Sequence, residues 1–426
     1  MILIEFYDKT PVENLITTLT LKPRKTVFIA ADRKKAWHSV GLYKKITAGR
    51  GLPCEMEVIG APRTGIDESK AAILSIIDSN PRDQIVIDIA GGSDCALVAA
   101  GMVFSELGGR EKRLHAFYMN PATRRGTLIE FIRENDSLKT EKNVYDFSFG
   151  NGVYLTCEEN IILHGGSVAK KGATFKKDSP LCDDVERLWE MCRHDPAGWN
   201  AKTGRLSAES AYADESGLRA IPRSSIGEDS GSRTGKKVDI ALWNALVDGG
   251  LIVIDETRSG GGSIFFRYKN RIVDECLNKS GTILEYRTFL AGIRAERDNL
   301  PLYDSVETGI VISWNEYDSR GGTQNEIDCM LMNGVCPVFI SCKNGDIKTE
   351  ELYKLGTVSE RFGSDYAKKY LLSTVYFDES LRRSGETIGK AAATLKERAK
   401  EMDIRLLSKA HTLNKNSFDA MLEKLV

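Results

Sequence analysis

Short apolar runs alternate with amphipathic stretches along the first part of the chain. The strand-like runs fall at 2–7, 25–30, 54–59, 84–89 and 113–119. Between them, apolar residues recur with helical spacing at 12–19, 66–78 and 95–107. Strands that alternate with helices predict a mostly parallel sheet with helices on its faces. We therefore expect a Rossmann-like layer fold, in which ligands bind at the carboxyl ends of the strands.

The central part of the chain has a different pattern. Thr156-Cys157-Glu158-Glu159 has the spacing of a capping box, which predicts the start of a helix and of a new unit. Further helices are expected at 181–193 and 238–246, a long polar loop at 209–236, and two strands at 251–255 and 264–268. Because a helix followed by a glycine-tipped hairpin is the outline of a winged helix, we expect a winged-helix-like α+β module here.

The last part of the chain mixes helices and strands. The pattern predicts an initial helix around Glu285, strands at 309–314, 324–332 and 335–343, a helix at 350–361, a strand at 370–377 and a long helix from 387. At 426 residues the chain is too long for one ordinary core, and roughly 150 residues per domain gives about three domains. We place them at 1–150, 151–277 and 278–426, which makes an α/β multidomain protein.

Composition narrows the class of protein. With 59 basic and 60 acidic residues the net charge is −1, which argues against binding of nucleic acid through bulk positive charge. The 9 cysteines form no C-x-x-C pair, so neither a zinc site nor a disulfide framework is expected. No apolar run approaches the roughly 20 residues of a membrane span, and the N-terminal run is too short for a signal peptide. We expect a soluble cytoplasmic protein without a membrane partner.

Acidic residues and a lysine face each other across two predicted strands near the C-terminal third. Asp328 lies on the first strand and Lys343 ends the second. Because side chains alternate along a strand, Glu326 shares the face of Asp328, and Ser341 shares that of Lys343. Glu285, on the preceding helix, can bring another carboxylate to the same corner. Carboxylates hold the divalent ions that activate water for phosphodiester cleavage, and a lysine stabilises charge that develops on the phosphate.

This order of a helix acid, a strand acid and a strand lysine resembles the PD-(D/E)XK restriction-endonuclease-like superfamily over residues 278–426. The resemblance places Glu285, Asp328 and Lys343 at motif positions, and it implies a nuclease that uses Mg²⁺ or Mn²⁺. One position departs, because Ser341 stands where an acid is expected, and a hydroxyl is a poor metal ligand. Glu285 or Glu326 would then complete the metal site. The opposing interpretation is a simple cross-strand ion pair between Asp328 and Lys343 on a solvated face.

A second candidate site lies in the first unit. Ile85-Val86-Ile87-Asp88-Ile89-Ala90-Gly91-Gly92-Ser93 is an apolar strand that runs into a glycine pair and then into a helix from about Asp94. Glycines let a ligand approach the backbone, and amides at a helix N-terminus attract phosphate. The segment is neither a G-x-G-x-x-G fingerprint nor a P-loop, so neither NAD nor a P-loop nucleotide is indicated.

Together with the early loop Tyr7-Asp8-Lys9-Thr10-Pro11, this glycine turn resembles the CARF domain, which binds cyclic oligoadenylates. Nearly the whole chain is similar to the CARF-fused PD-(D/E)XK ancillary nucleases of type III CRISPR systems. The resemblance implies a homodimer that binds cyclic tetra-adenylate and then cleaves single- or double-stranded DNA or RNA in antiviral defence. The contacts it suggests are Asp8, Lys9, Thr10, Gly91, Gly92, Ser93, Asp94 and, at the end of the last strand, Asn120. In the family a lysine commonly follows the glycine turn, whereas this chain has Asp94, so Lys9 would provide the positive charge.

The sequence leaves a second function open. In that alternative the chain is a cyclic-oligoadenylate-responsive regulator, whose winged-helix-like module binds DNA and whose C-terminal domain is degenerate. Product formed in the presence of a divalent metal distinguishes the nuclease from the regulator. A Rossmann-type oxidoreductase is disfavoured because the glycine pattern is wrong.

Overall fold

The computed structural model describes residues 1–121, 123–135, 137–146, 153–210, 213–228, 237–279, 281–314, 324–345, 347–374 and 386–426. Its first sheet has seven strands in the order β3-β2-β1-β4-β5-β6-β7. They are β1 (Ile2–Phe6), β2 (Lys25–Ala30), β3 (Glu55–Gly60), β4 (Ile85–Asp88), β5 (Leu114–Asn120), β6 (Arg125–Glu134) and β7 (Ser137–Asp146). The helices that connect the parallel strands are α1 (Pro11–Leu21), α2 (Arg33–Gly49), α3 (Ile66–Ser79) and α4 (Asp94–Leu107).

Strands β1 to β5 are parallel, and β6 and β7 extend the sheet as an antiparallel hairpin. The five predicted strands and three predicted helices of this unit are confirmed. The spatial order of the strands reverses between β1 and β4. The carboxyl ends of these two strands therefore form the crevice in which sheets of this kind bind ligands.

The middle of the chain combines helices with short strands. Its elements are α5 (Cys157–Leu163), β8 (Ser167–Lys170), α6 (Leu181–His194), α7 (Pro196–Glu209), β9 (Arg219–Pro222), β10 (Ile226–Gly227), β11 (Val238–Asp239), α8 (Ile240–Asp248), β12 (Ile252–Ile254), β13 (Ser263–Tyr268) and α9 (Arg271–Asn278). Both hydrogen bonds of the predicted capping box at Thr156 are present. The loop predicted at 209–236 is wrong in part, because β9 lies within it and pairs with β13. Residues 229–236 of that loop lie outside the described ranges.

A six-stranded sheet in the order β20-β19-β18-β17-β16-β8 forms the last unit. Its elements are α10 (Thr282–Arg294), β14 (Glu296–Arg297), β15 (Leu300–Pro301), β16 (Ser305–Ser313), β17 (Gln324–Asn333), β18 (Cys336–Lys343), α11 (Thr349–Gly363), β19 (Lys368–Ser373), α12 (Glu386–Glu401), β20 (Ile404–Leu407) and α13 (Lys415–Glu423). The edge strand β8 comes from the range 151–277 that we expected to form the connector. That segment therefore belongs to the C-terminal sheet.

The two faces of the C-terminal sheet pack into different cores. Met330 and Phe339 belong to a core that continues through α11 and α5 to Phe117 of the first sheet. The alternate residues Cys329 and Ile340 belong to a core formed with α6, α9 and α10. Because side chains alternate along each strand, one face of the sheet packs against the N-terminal unit and the other packs against the middle helices.

Polar contacts also join the N-terminal unit to the rest of the chain. The Arg50 guanidinium at the end of α2 donates to Glu159 Oε1 at 2.7 Å and to the carbonyl oxygen of Tyr154 at 2.6 Å. Buried Arg124 donates to Asp304 Oδ2 at 3.3 Å. The N-terminal unit therefore contacts the C-terminal sheet and its helices directly.

Within the described ranges, none of the helices combines the length and apolarity that a membrane span requires.

Candidate functional sites

Asp328 lies in a fork between β17 and β18. The ladder between these strands pairs Cys329 with Ile340 and stops there. Beyond it, Asp328 Oδ2 accepts hydrogen bonds from the backbone N–H of Cys342 at 2.8 Å and from Ser341 Oγ at 3.1 Å. The Asp328 carboxylate thus accepts a hydrogen bond from the backbone N–H of Cys342, which would have paired with the neighbouring strand if the ladder had continued. The carboxylate is held where the two strands separate.

Lys343 forms ion pairs with two carboxylates. Its Nζ lies 3.1 Å from Asp328 Oδ2 and 3.2 Å from Glu351 Oε2, which comes from the first turn of α11. Burial by itself would lower the pKa of Lys343, but Asp328 and Glu351 raise it above its ordinary value. The ammonium is therefore charged throughout the working pH range.

Glu285, in the first turn of α10, is 8% exposed. Burial and, to a lesser extent, the carboxylate of Asp328 raise the pKa of Glu285 to about 8 against the opposing charge of Lys279. Glu285 therefore carries a proton near neutral pH in the metal-free protein. Glu326 is the more exposed acid, and its Oε1 lies 2.5 Å from Lys279 Nζ.

Two neighbouring cavities connect these side chains. One, of about 110 Å³, is lined by Glu285, Lys279 and Glu326. The other, of about 50 Å³, is lined by Glu326, Asp328, Ser341, Lys343 and Glu351. The structure thus brings all five residues predicted for this site to one corner of the sheet. It adds Glu351 and Lys279, which the sequence analysis did not identify.

The donor set at this corner fits a hard divalent ion. In the described part of the chain, no three His, Cys, Asp or Glu side chains converge as a metal-binding group. Burial and the repulsion from Asp328 raise the pKa of Glu285, and a cation beside the two carboxylates would relieve that repulsion. Mg²⁺ commonly binds through one or two carboxylates and keeps several waters, so a pair of this kind suffices for it.

The second site is a pocket at the carboxyl ends of β1, β2, β3 and β4. It has a volume of about 210 Å³. Its lining residues include Asp8, Lys9, Gly92 and Ser93 of the predicted set, together with Asp32, Lys35 and Arg63. Among the described residues, the charged groups of Lys9, Lys35 and Arg63 have no carboxylate partner within 4 Å. The pocket therefore presents unpaired positive charge.

The glycine turn has little steric freedom. Gly92 has a φ of 107°, and a Cβ at this position would lie 2.4 Å from the Cβ of Phe6. Ser93 caps α4 by accepting from the N–H of Ala96 at 3.3 Å, and its hydroxyl donates to the carbonyl oxygen of Arg63 at 3.0 Å. The turn thus fixes the wall of the pocket beside the N-terminus of α4.

The other predicted contacts do not line this pocket. The Thr10 N–H donates to Asp8 Oδ1 at 3.1 Å, and Asn120 Oδ1 accepts from the N–H of Thr123 at 3.1 Å. Gly91 lies behind the turn, and Asp94 is exposed in the first turn of α4. The cationic side chains that line the pocket are those of Lys9, Lys35 and Arg63.

The whole chain shares its fold with two solved structures. Protein VC1899 from Vibrio cholerae aligns with a TM-score of 0.70 at 16% identity, over 99% of this chain and 97% of that one. Can2 from Sulfobacillus thermosulfidooxidans, solved in complex with cyclic tetra-adenylate, aligns with a TM-score of 0.61 at 14% identity over 99% of each chain. Neither family models nor curated protein sequences give a match. The chain therefore has the fold of these two proteins over nearly its whole length.

Proposed function

We propose that the chain is a metal-dependent nuclease of type III CRISPR antiviral defence, activated by cyclic tetra-adenylate. The observation that carries this proposal is the convergence of Glu285, Asp328 and Lys343 where β17 and β18 separate. The unpaired cations of the N-terminal pocket, on a fold shared with a protein solved with cyclic tetra-adenylate, support the proposed activator.

In this proposal Glu285 and Asp328 hold the divalent ion. When bound, the ion polarises the scissile phosphate and lowers the pKa of a water. The backbone N–H of Cys342 and the hydroxyl of Ser341 orient Asp328. Lys343 donates to the phosphate oxygens, where negative charge develops during hydrolysis.

The same arrangement assigns a role to Ser341, which stands where the resemblance led us to expect an acid. Its hydroxyl supports Asp328 at 3.1 Å and need not bind the ion. Glu326 is engaged by Lys279, whereas Glu285 is a buried carboxylate whose pKa is raised by burial and by the charge of Asp328. Glu285 is therefore our choice for the second ligand, and Glu326 for a residue at the mouth of the site.

The size of the pocket supports a homodimer. A cavity of about 210 Å³ is smaller than the roughly 300–1,000 Å³ that encloses a drug-sized ligand. One protomer would therefore hold only part of a cyclic tetranucleotide, and a two-fold axis through the ligand would let a partner bind the rest. Calorimetry should give one ligand for two chains. One ligand for each chain would contradict this assembly.

Cleavage assays test the proposed function. Labelled single-stranded DNA, single-stranded RNA and supercoiled plasmid are incubated with Mg²⁺ or Mn²⁺, with and without cyclic tetra-adenylate. We expect product from at least one substrate only when metal and ligand are both present. A ligand-dependent shift of DNA in a gel, without product under any condition, would instead favour the regulator.

A further inference from the structure

Helix α11 and the turn that follows it contact the candidate nuclease site at one end and α1 of the N-terminal unit at the other. Its first turn carries Glu351, whose Oε2 lies 3.2 Å from Lys343 Nζ. The turn that follows its last residue carries Tyr366, whose hydroxyl donates to Glu13 Oε1 on α1 at 2.7 Å. One helix therefore extends from the catalytic lysine to the N-terminal unit.

Glu13 lies beside the glycine turn that borders the pocket. Its Oε2 is 3.6 Å from the position that a Cβ on Gly91 would occupy. The next residue, Asn14, exchanges two hydrogen bonds with the backbone of Asp8, at 2.8 and 2.7 Å. Because Asp8 lines the pocket, a shift of this loop on binding would move the first turn of α1 and the Glu13 carboxylate with it.

The helix is packed well enough to move as one body. Leu352, Val358 and Phe362 are at most 4% exposed, and they belong to the core that also contains Val12 of α1. Closely packed side chains transmit a displacement because they leave little free space to absorb it. A movement at Tyr366 is therefore expected to reach Glu351.

The two ion pairs described between the N-terminal unit and the rest of the chain end on different elements, and Cys336 Sγ at the start of β18 donates to the carbonyl oxygen of Pro121 at 3.7 Å. Glu159, which accepts from Arg50, lies on α5, and Asp304, which accepts from Arg124, precedes β16. Neither α5 nor the residue before β16 contributes a side chain to the cavities around Lys343. Among the contacts described, the bond between Tyr366 and Glu13 is the one that leads to a helix with a side chain on Lys343.

We propose that α11 couples the pocket to the nuclease site. Ligand binding in the pocket displaces Glu13, Tyr366 passes this displacement to α11, and Glu351 then positions Lys343. This inference rests on the proposed function and extends it to named residues. A ligand shifts an equilibrium only by its preference for one arrangement, and such couplings typically amount to roughly 5–150-fold.

Tyr366→Phe tests the transmission, because it keeps the ring and removes the hydroxyl. Tyr353→Phe is the matched control, since Tyr353 lies on α11 and is 48% exposed. We expect Tyr366→Phe to bind cyclic tetra-adenylate, while the ratio of cleavage rates with and without ligand falls at least about fivefold. Tyr353→Phe should keep the wild-type ratio. An unchanged ratio in Tyr366→Phe, or loss of ligand binding, would overturn the inference.

Two variants of Glu13 give a second test of the same bond. Glu13→Gln keeps an oxygen that accepts from Tyr366, whereas Glu13→Ala removes it. The ratio of cleavage rates should be preserved in Glu13→Gln and reduced in Glu13→Ala. Equal ratios in the two variants would contradict a role for this hydrogen bond.

Glu351→Gln tests the positioning of Lys343. The substitution keeps the shape of the side chain and removes its charge, so kcat with saturating ligand should fall at least about fivefold while KM is unchanged. The exposed neighbour Glu350 provides the control Glu350→Gln, which should behave as wild type. Wild-type kcat in Glu351→Gln would refute the positioning role.

Hydrogen exchange on the full chain separates failure of this inference from failure of the proposed function. Cyclic tetra-adenylate should slow exchange in residues 90–96 of both the wild type and Tyr366→Phe. It should alter exchange in residues 349–366 of the wild type only. An equal response of 349–366 in both proteins would overturn the coupling while leaving the ligand assignment intact. No response at 90–96 would refute the ligand, and the coupling with it.

Discussion

The N-terminal pocket and the proposed nuclease corner differ in how their charges are paired. The nuclease corner is formed by Glu285, Glu326, Asp328, Ser341, Lys343 and Glu351. In the pocket, Lys9, Lys35 and Arg63 face a cavity without a carboxylate partner among the described residues. At the nuclease corner, Lys343 is already bound by two carboxylates. The three cations of the pocket, which Asp8 and Asp32 also line, are thus available to an anionic ligand, whereas Lys343 is already paired at the corner.

This difference shows which site must rearrange. A phosphate-containing ligand gains its electrostatic attraction in the pocket at once, because no ion pair has to be broken first. At the corner, a phosphate or a metal ion competes with existing contacts of Lys343 and Asp328. We therefore expect ligand affinity to depend mainly on how well the ligand's shape fits the pocket. At the nuclease corner, we expect the cleavage rate to depend mainly on how the charged side chains are arranged.

The largest effect should come from Lys343→Ala. The substitution removes the donor to the phosphate and leaves Asp328 with one partner fewer, so the cleavage rate should fall at least about 100-fold. Gel analysis of labelled substrate with metal and ligand measures it. Lys348→Ala, at an exposed lysine before α11, is the control and should cleave at the wild-type rate. Undiminished cleavage by Lys343→Ala would show that the nuclease corner does not carry out the cleavage.

Gly92→Ala should weaken ligand binding in the pocket and leave the nuclease corner unchanged. A methyl group at a φ of 107° is strained and would meet Phe6 at 2.4 Å, so the wall of the pocket must shift. We expect the affinity for cyclic tetra-adenylate to fall at least about tenfold by calorimetry, a loss of about 1.4 kcal/mol. Gly101→Ala on α4 is the control, because a Cβ there has no atom within 4 Å. Equal affinities for the two variants would show that the turn is not part of the ligand site.

The pH dependence of stability should separate the two regions further. Glu285 has a pKa of about 8 in the folded protein and an ordinary value near 4.5 when unfolded, so the folded state binds more protons between these values. Stability therefore falls as the pH rises from about 4.5 to 8, by up to ~1.4 kcal/mol per pH unit for this group. Denaturant unfolding in EDTA should show a shallower fall in Glu285→Gln than in the wild type.

Glu350→Gln controls for the loss of a glutamate, and it should retain the wild-type slope because Glu350 is exposed. Mn²⁺ should stabilise the wild type more at pH 8 than at pH 6, since the ion competes with the proton on Glu285. A constant difference in stability between Glu285→Gln and the wild type across this range would contradict the assignment.

The smallest effect is expected from Ser341→Ala. It removes one of the hydrogen bonds to Asp328, worth about 1 kcal/mol, and leaves the N–H of Cys342 in place. Cleavage should fall about fivefold under saturating metal. A loss as large as that of Lys343→Ala would indicate that the hydroxyl contacts the reacting groups directly.

The nuclease corner was the more predictable of the two regions. Asp328, Glu326, Ser341 and Lys343 lie on two consecutive strands, so the alternation of side chains was enough to bring them together. The sequence analysis did not identify Glu351, because acids are common in the first turn of a helix, where they interact favourably with the free N–H groups and the helix dipole. Its role follows only from the way α11 packs back on the sheet.

The pocket was less predictable because its charges come from separate parts of the chain. Lys35 lies on α2, and Arg63 lies in the loop after β3. Their convergence depends on the strand order, which sequence periodicity does not determine. α2 itself was missed because it begins with Arg33-Lys34-Lys35, and the β6–β7 hairpin was missed because β7 is almost entirely exposed.

The edge strand β8 has a consequence for how the protein is made. Lys170 pairs with Val311, so the C-terminal sheet cannot close its edge until the whole middle module has left the ribosome. The parallel strands of the first sheet pair over much shorter separations along the chain, and N-terminal units generally fold first during synthesis. We expect the N-terminal unit to fold before the C-terminal sheet is complete, so in a nascent chain the proposed ligand pocket forms before the proposed nuclease site.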